Sequence, residues 1–120
     1  AAKGGITATN PSQWASFTRD IDAANNSTVV LVMDKTPSAF SSAAETNYFR
    51  AILSKYVEQG KRVFVISCGS TSYWTSTKDG VRYINLPDLW KADGTVNPNY
   101  KMLRFRVKDG AVTYEAVHIK

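Results

Sequence analysis

Residues 62–87 read RVFVISCGSTSYWTSTKDGVRYINLP, and the order of signals within that stretch decides the fold. Its first six residues, Arg-Val-Phe-Val-Ile-Ser, are an apolar run of the kind that forms a buried strand. The run opens into Gly69-Ser70-Thr71-Ser72, a turn at a strand's carboxyl end, where an α/β enzyme carries its chemistry. Residues 72–77 and 81–86 then flank Lys78-Asp79-Gly80, and Asp-Gly between alternating segments predicts a β-hairpin.

Upstream, Thr28-Val-Val-Leu-Val-Met33 is a second continuous apolar run, expected to be a strand covered on both faces. It stops at Asp34-Lys35-Thr36-Pro37, because proline breaks the ladder, and a loop runs on to Ser42. Between the two runs, residues 43–59 predict a helix presenting Tyr48, Phe49, Ile52, Leu53 and Tyr56, with Gly60 as its C-terminal cap. Strand, helix and strand in that order make a right-handed βαβ unit with parallel strands. An earlier helix is expected over residues 11–24, capped by Asn10 with Pro11 in its first turn and ended by Asn25-Asn26-Ser27. Trp14, Phe17, Ile21 and Ala24 fall on its core-facing side.

Downstream, a polar excursion over 87–100 holds Asp93-Gly94 and Asn97-Pro98. Residues 101–107 and 111–119, around Lys108-Asp109-Gly110, predict a second hairpin. The fold class is therefore α/β: a mixed β-sheet with a βαβ unit followed by two antiparallel hairpins, helices packed on the sheet.

At 120 residues the chain has the length of one domain. With 43% hydrophobic and 21% charged residues, its composition is that of a globular chain and excludes disordered and fibrous classes. No apolar run approaches the roughly 20 residues that span a bilayer, so no membrane span is expected. The opening Ala-Ala-Lys-Gly-Gly reads as a domain boundary, without a signal peptide, so residues 1–120 are expected to be a domain excised from a larger protein. Cys68 is the only cysteine, which excludes an internal disulfide, a CxxC motif and a cysteine zinc cluster. The net charge of +5 is spread among interleaved acids, except over residues 101–108. There, Lys101, Leu103, Phe105 and Val107 would share one face of a strand, and Met102, Arg104, Arg106 and Lys108 the other. The basic face reads as the solvent side of a sheet, and no nucleic acid partner is expected.

Five stretches, QWASFTRDI at 13–21, VVLVMDKTP at 29–37, YVEQGKRVFVISCG at 56–69, GSTS at 69–72 and DGVRYI at 79–84, carry a resemblance. In this order the chain resembles the C-terminal half of the calcineurin-like metallophosphoesterase superfamily, over roughly residues 12–114. The start GGITATNPSQW also resembles phosphoesterase-like C-terminal domains of large secreted bacterial surface proteins, which implies an extracellular or cell-surface location. The resemblance implies a metallophosphoesterase-like half-sandwich. Active members hold two metal ions, a clamp for the attacking and leaving oxygens. The position matching their strand-end histidine is Asp34, and those matching the histidines of their Gly-His-x-His are Ser70 and Ser72. Serine hydroxyls lack the basicity that holds a transition metal, so these three are read as degenerate ligand positions, and no metal, cofactor or catalytic residue is expected.

Other chemistries fare no better. Ser67, Cys68, Ser70, Thr71 and Ser72 are nucleophiles in type, but each needs a base, and the candidates are His118, Asp34 and surface carboxylates. His118, near the C-terminus, reads as a surface or packed residue, Asp34 as a strand-end polar residue, and Cys68 as a small packed one. A binding role rests on Tyr73, Trp74, Trp90 and Tyr100, aromatics near the sheet end that would stack on sugars or peptides. The expected function is a non-catalytic metallophosphoesterase-like structural or interaction domain, whose partner is the remainder of its parent protein, with a cell-wall glycan or another protein as further partner. The alternatives are the C-terminal half of an active metal-dependent phosphoesterase, and a carbohydrate- or peptide-binding module.

Overall fold

β-Branched residues crowd the two runs that open the sheet, and they pair as their spacing across one helix requires. In the computed structural model, which describes residues 5–23, 28–70, 72–108 and 111–118, β1 (Thr28–Met33) and β2 (Arg62–Ser70) are parallel neighbours joined through α3 (Ala43–Glu58). The side chains of Ser70 and His118 lie outside that description, as do Ala24, the Asn25-Asn26-Ser27 stop and the Asp109-Gly110 turn.

The predicted hairpin is present as β3 (Trp74–Lys78) and β4 (Val81–Pro87), in antiparallel register from Trp74 opposite Asn85 to Lys78 opposite Val81. Its placement was not legible in the sequence: the sheet order is β1-β2-β4-β3, so the chain passes out to the edge and returns between. Burial explains this order. The Thr75, Ser76 and Thr77 side chains of β3 are exposed and tolerate an edge, whereas Val81, Tyr83, Ile84 and Asn85 of β4 are buried and require neighbours on both sides. The β3–β4 turn has φ of 52° at Asp79 and 78° at Gly80, the mirror-image turn that matches strand twist. Gly80 has a second reason to be glycine, because a Cβ there would lie 2.7 Å from Val57 Cγ1 of α3.

One face of the sheet meets the helices. Phe49, Leu53 and Tyr56 of α3 pack with Val29, Val63, Val65, Val81 and Tyr83, joined by Ile21 of α2 (Gln13–Ala23). Phe17 stacks on Phe49 with centroids 5.6 Å apart, and Trp14 meets Phe49 edge-on at 6.3 Å. Tyr48, expected in the apolar stripe of α3, is instead 59% exposed, its ring resting edge-on against Trp14. Ser42 caps α3 by accepting from Glu45 N at 3.3 Å. Gly60 ends it as expected, with Gly60 N donating to Val57 O and Lys61 N to Tyr56 O, the paired bonds of a left-handed helix stop. Asn10, expected to cap α2, instead accepts from Ser12 N at 3.0 Å in a turn ahead of it, and that helix starts at Gln13 rather than Pro11. A short helix, α1 (Ile6–Thr9), precedes that turn; Ile6 reaches the core and Thr7 N donates to Glu45 Oε1 at 2.8 Å.

The other face is only partly covered. The predicted second hairpin, β5 (Lys101–Lys108) with β6 (Ala111–His118), stands on Phe64 of β2 through Phe105 at 5.6 Å and Tyr114 at 6.1 Å. Ile66 and Ile84 on that face are buried. Val30 and Val32 are 43% and 75% exposed, which corrects the expectation that residues 28–33 would be covered on both faces. A two-stranded hairpin centred on Phe64 leaves the outer strand bare. Arg104, Arg106 and Lys108 face solvent as expected, and Val107, near the hairpin tip, is exposed with them.

Candidate functional site

The parallel strands end in one row. Met33, Ser67 and Asn85 are register partners across β1, β2 and β4, so the residues that follow emerge at a common edge. In open α/β sheets ligands bind in the crevice outside those carboxyl ends. Here that crevice has a volume of about 340 Å³ and is lined by Asp34, Lys35, Thr36, Cys68, Trp74 and Asn85 among others.

Asn85 organises it. The side chain is 1% exposed, its Oδ1 accepts from Ser67 Oγ at 3.1 Å, and its Nδ2 donates to Ser72 O at 3.1 Å. One buried amide thus ties β4 to β2 and to the segment leading into β3. The β2–β4 register shifts between Ser67 and Ser70, an irregularity of the kind that re-aims side chains beside sites. On the opposite wall, Thr46 Oγ1 donates to Pro37 O at 2.7 Å and holds the 3₁₀ turn Pro37–Ala39 after Asp34.

The thiol of Cys68 is pushed above its ordinary range, first by burial and then by the negative charges of Asp88 and Asp34. It is a protonated, weak hydrogen-bond donor at neutral pH rather than a nucleophile. Among the described residues, no three of His, Cys, Asp and Glu gather as a metal site. Among the described residues the crevice supplies one carboxylate, a protonated thiol and an amide already engaged on both its atoms, a donor set that does not fit a two-metal clamp.

Of the residues singled out from sequence, Asp34 and Trp74 line this crevice. Ser72 contributes its carbonyl to Asn85, and its side chain is exposed. Tyr73 lies beneath Lys101, whose Nζ is 5.3 Å from the ring centroid, and burial first, then Tyr114, raises its phenol. Trp90 is 60% exposed in the excursion, where it bridges to Val96, and Tyr100 closes that excursion by donating from its N to Asn97 O. The sequence reading missed Asn85, Lys35 and Thr36. Asn85 did leave a signal, a lone amide inside the apolar VRYINLP.

A scan against protein-family models, a search of curated proteins and a search of solved structures each return no match. The crevice must therefore be read from its own chemistry. It offers a carboxylate, an ammonium group, a hydroxyl and an indole around a fixed amide, groups that hydrogen-bond and stack.

Proposed function

We propose that this chain is a non-catalytic, metallophosphoesterase-like structural and interaction domain of a larger secreted or cell-surface protein. The observation that carries the reading is the commitment of Asn85 to Ser67 and Ser72, which turns the catalytic end of an α/β sheet into a structural joint. The bare valines of β1 support it: Val30 and Val32 form an apolar surface on which the remainder of the parent protein packs. Titration calorimetry with Mn²⁺ and Zn²⁺, on this chain and on the longer polypeptide that contains it, tests the proposal. No saturable heat is expected in either. Binding of a metal pair by the longer protein, with hydrolysis of a generic phosphodiester, would replace this reading with that of an active phosphoesterase.

The position of Trp74 beside Asp34 and Asn85 favours a second reading, a carbohydrate- or peptide-binding module. Its signature is a tryptophan fluorescence change on adding cell-wall glycans or peptides that Trp74→Phe abolishes and Trp90→Phe leaves intact. No change across such a panel removes it.

A further inference from the structure

In the order β1-β2-β4-β3, the outer strands are β1 and β3, and the two edges differ. Edge strands present unpaired backbone N–H and C=O groups, which charge, proline, bulges or brevity usually guard. β3 is five residues long, exposes Thr75, Ser76 and Thr77 and ends on Lys78. β1, Thr-Val-Val-Leu-Val-Met, carries no charge and no proline, and its register with β2 runs unbroken over all six residues, so no bulge bends it away. Among the described residues, none pairs with its outer side. An apolar cavity of about 220 Å³ is lined by Leu31, Val32 and Met33 of this strand together with Ile6, Phe17 and Phe49. A strand whose side chains alternate between faces brings three consecutive residues to one cavity along its edge. The cavity is smaller than the roughly 300 Å³ at which small-molecule sites begin. It exceeds the roughly 150 Å³ that holds a benzene ring, so its scale is that of one leucine or phenylalanine side chain.

We propose that the β1 edge accepts an uncharged extended segment of another polypeptide as an added strand, with one apolar side chain of that segment seated in the cavity. Backbone bonds to β1 supply affinity and the cavity supplies selectivity, as in other cases of strand addition. The anchor enters on the helix side, where Val29, Leu31 and Met33 meet the core. Its two neighbours in the added strand point to the opposite face and lie beside the exposed Val30 and Val32. A second copy of this chain fits less well. In an antiparallel pair of β1 strands, the side chains offered to the cavity would be Val29, Leu31 or Met33 of that copy, which its own core already holds. Each copy also carries a net charge of +5, which opposes self-pairing. The inference concerns the edge of β1 and rests on neither reading of the crevice.

Titration calorimetry and amide hydrogen exchange test the proposal with the end-capped peptide Ser-Thr-Val-Leu-Val-Thr-Ser, which reads the same in both directions and so serves parallel and antiparallel pairing. The expected result is one peptide bound per chain, with slowed exchange of amides within residues 28–33. Replacing its leucine by alanine is expected to weaken binding about tenfold, through the apolar surface lost. N-Methylation of its Val-Leu-Val centre removes backbone donors and is expected to abolish binding. Val32→Lys installs the charge that guards natural edges and is expected to weaken binding several-fold. Thr77→Lys makes the same charge change on β3 and is expected to leave affinity unchanged. Folding of each variant is checked by circular dichroism. Absence of saturable binding, equal affinity for the alanine peptide, binding that survives N-methylation, or protection confined to segments other than β1 overturns the proposal. Self-association that protects residues 28–33 without peptide would overturn it too, by assigning the edge to a second copy.

Discussion

Asn85 is the side chain on which the crevice depends most. Asn85→Ala leaves the Ser67 hydroxyl and the Ser72 carbonyl without this partner inside the protein, a change expected to cost about 2–3 kcal/mol. A lower urea midpoint with unchanged slope checks it, and a loss within 0.5 kcal/mol, the size of an ordinary surface substitution, would sink the role assigned. Cys68 supplies a test of the local field. With burial and two carboxylates raising its pKa, alkylation by iodoacetamide is expected to be slow at neutral pH and to accelerate in alkaline solution. Asp34→Asn removes one of those charges and is expected to shift the rate profile to lower pH. An unshifted profile would show that burial alone sets the thiol.

Tyr56, on the core side of α3, is the residue whose titration reaches stability. Its hydroxyl donates to Asp22 Oδ1 at 2.8 Å, and burial first, then that bond and the Asp22 charge, push its pKa from 10.0 up to about 12. The neutral phenol is the form favoured by folding, so the stabilisation is complete below the unfolded value and is lost as pH rises from about 10 towards 12. At 1.36 kcal/mol per pH unit this amounts to roughly 2–3 kcal/mol. Denaturant melts of the parent and Tyr56→Phe across this window are expected to diverge, the variant being flatter. Parallel curves would mean that other groups cause the alkaline loss.

Among the elements, the β3–β4 hairpin shows how turn chemistry and packing combine. Lys78-Asp79-Gly80 announces the turn in sequence, but the contact between Gly80 and Val57 belongs to the tertiary structure. Gly80→Ala is expected to cost about 1–3 kcal/mol, from strain at positive φ and from the clash with Val57. Adding Val57→Ala should relieve only the clash, so a double-mutant cycle with zero coupling would deny the contact. The helices were legible for the same local reason: three- and four-residue spacing of Phe49, Leu53 and Tyr56 marks a buried face, and Ser42 and Gly60 mark its ends. Helix α1 was not legible, because four residues give no periodicity and their order rests on distant contacts of Ile6 and Glu45.

For the whole molecule, coverage of the sheet is the property that bears on function. The helices cover one face entirely enough to bury Val29 and Val65, while the hairpin on Phe64 covers the other only in part. Val32→Lys is therefore expected to alter stability of this chain by less than about 0.5 kcal/mol. If the chain is part of a longer protein whose remainder covers the β1 face, as proposed, burying that lysine there is expected to cost well over 1 kcal/mol. Equal melting shifts in both polypeptides would argue against the valine face as a packing surface.

The residues themselves dictated the two long helices, the strands, the parallel pairing across α3 and both hairpins, because periodicity, caps and Asp-Gly turns act over a few neighbouring positions. Only the tertiary structure decided that β4 lies between β2 and β3, that Val30 and Val32 stay bare, and that Asn85 joins three segments. Those outcomes depend on which surfaces far apart in the chain bury one another. That free energy belongs to pairs of elements, and no single stretch carries it.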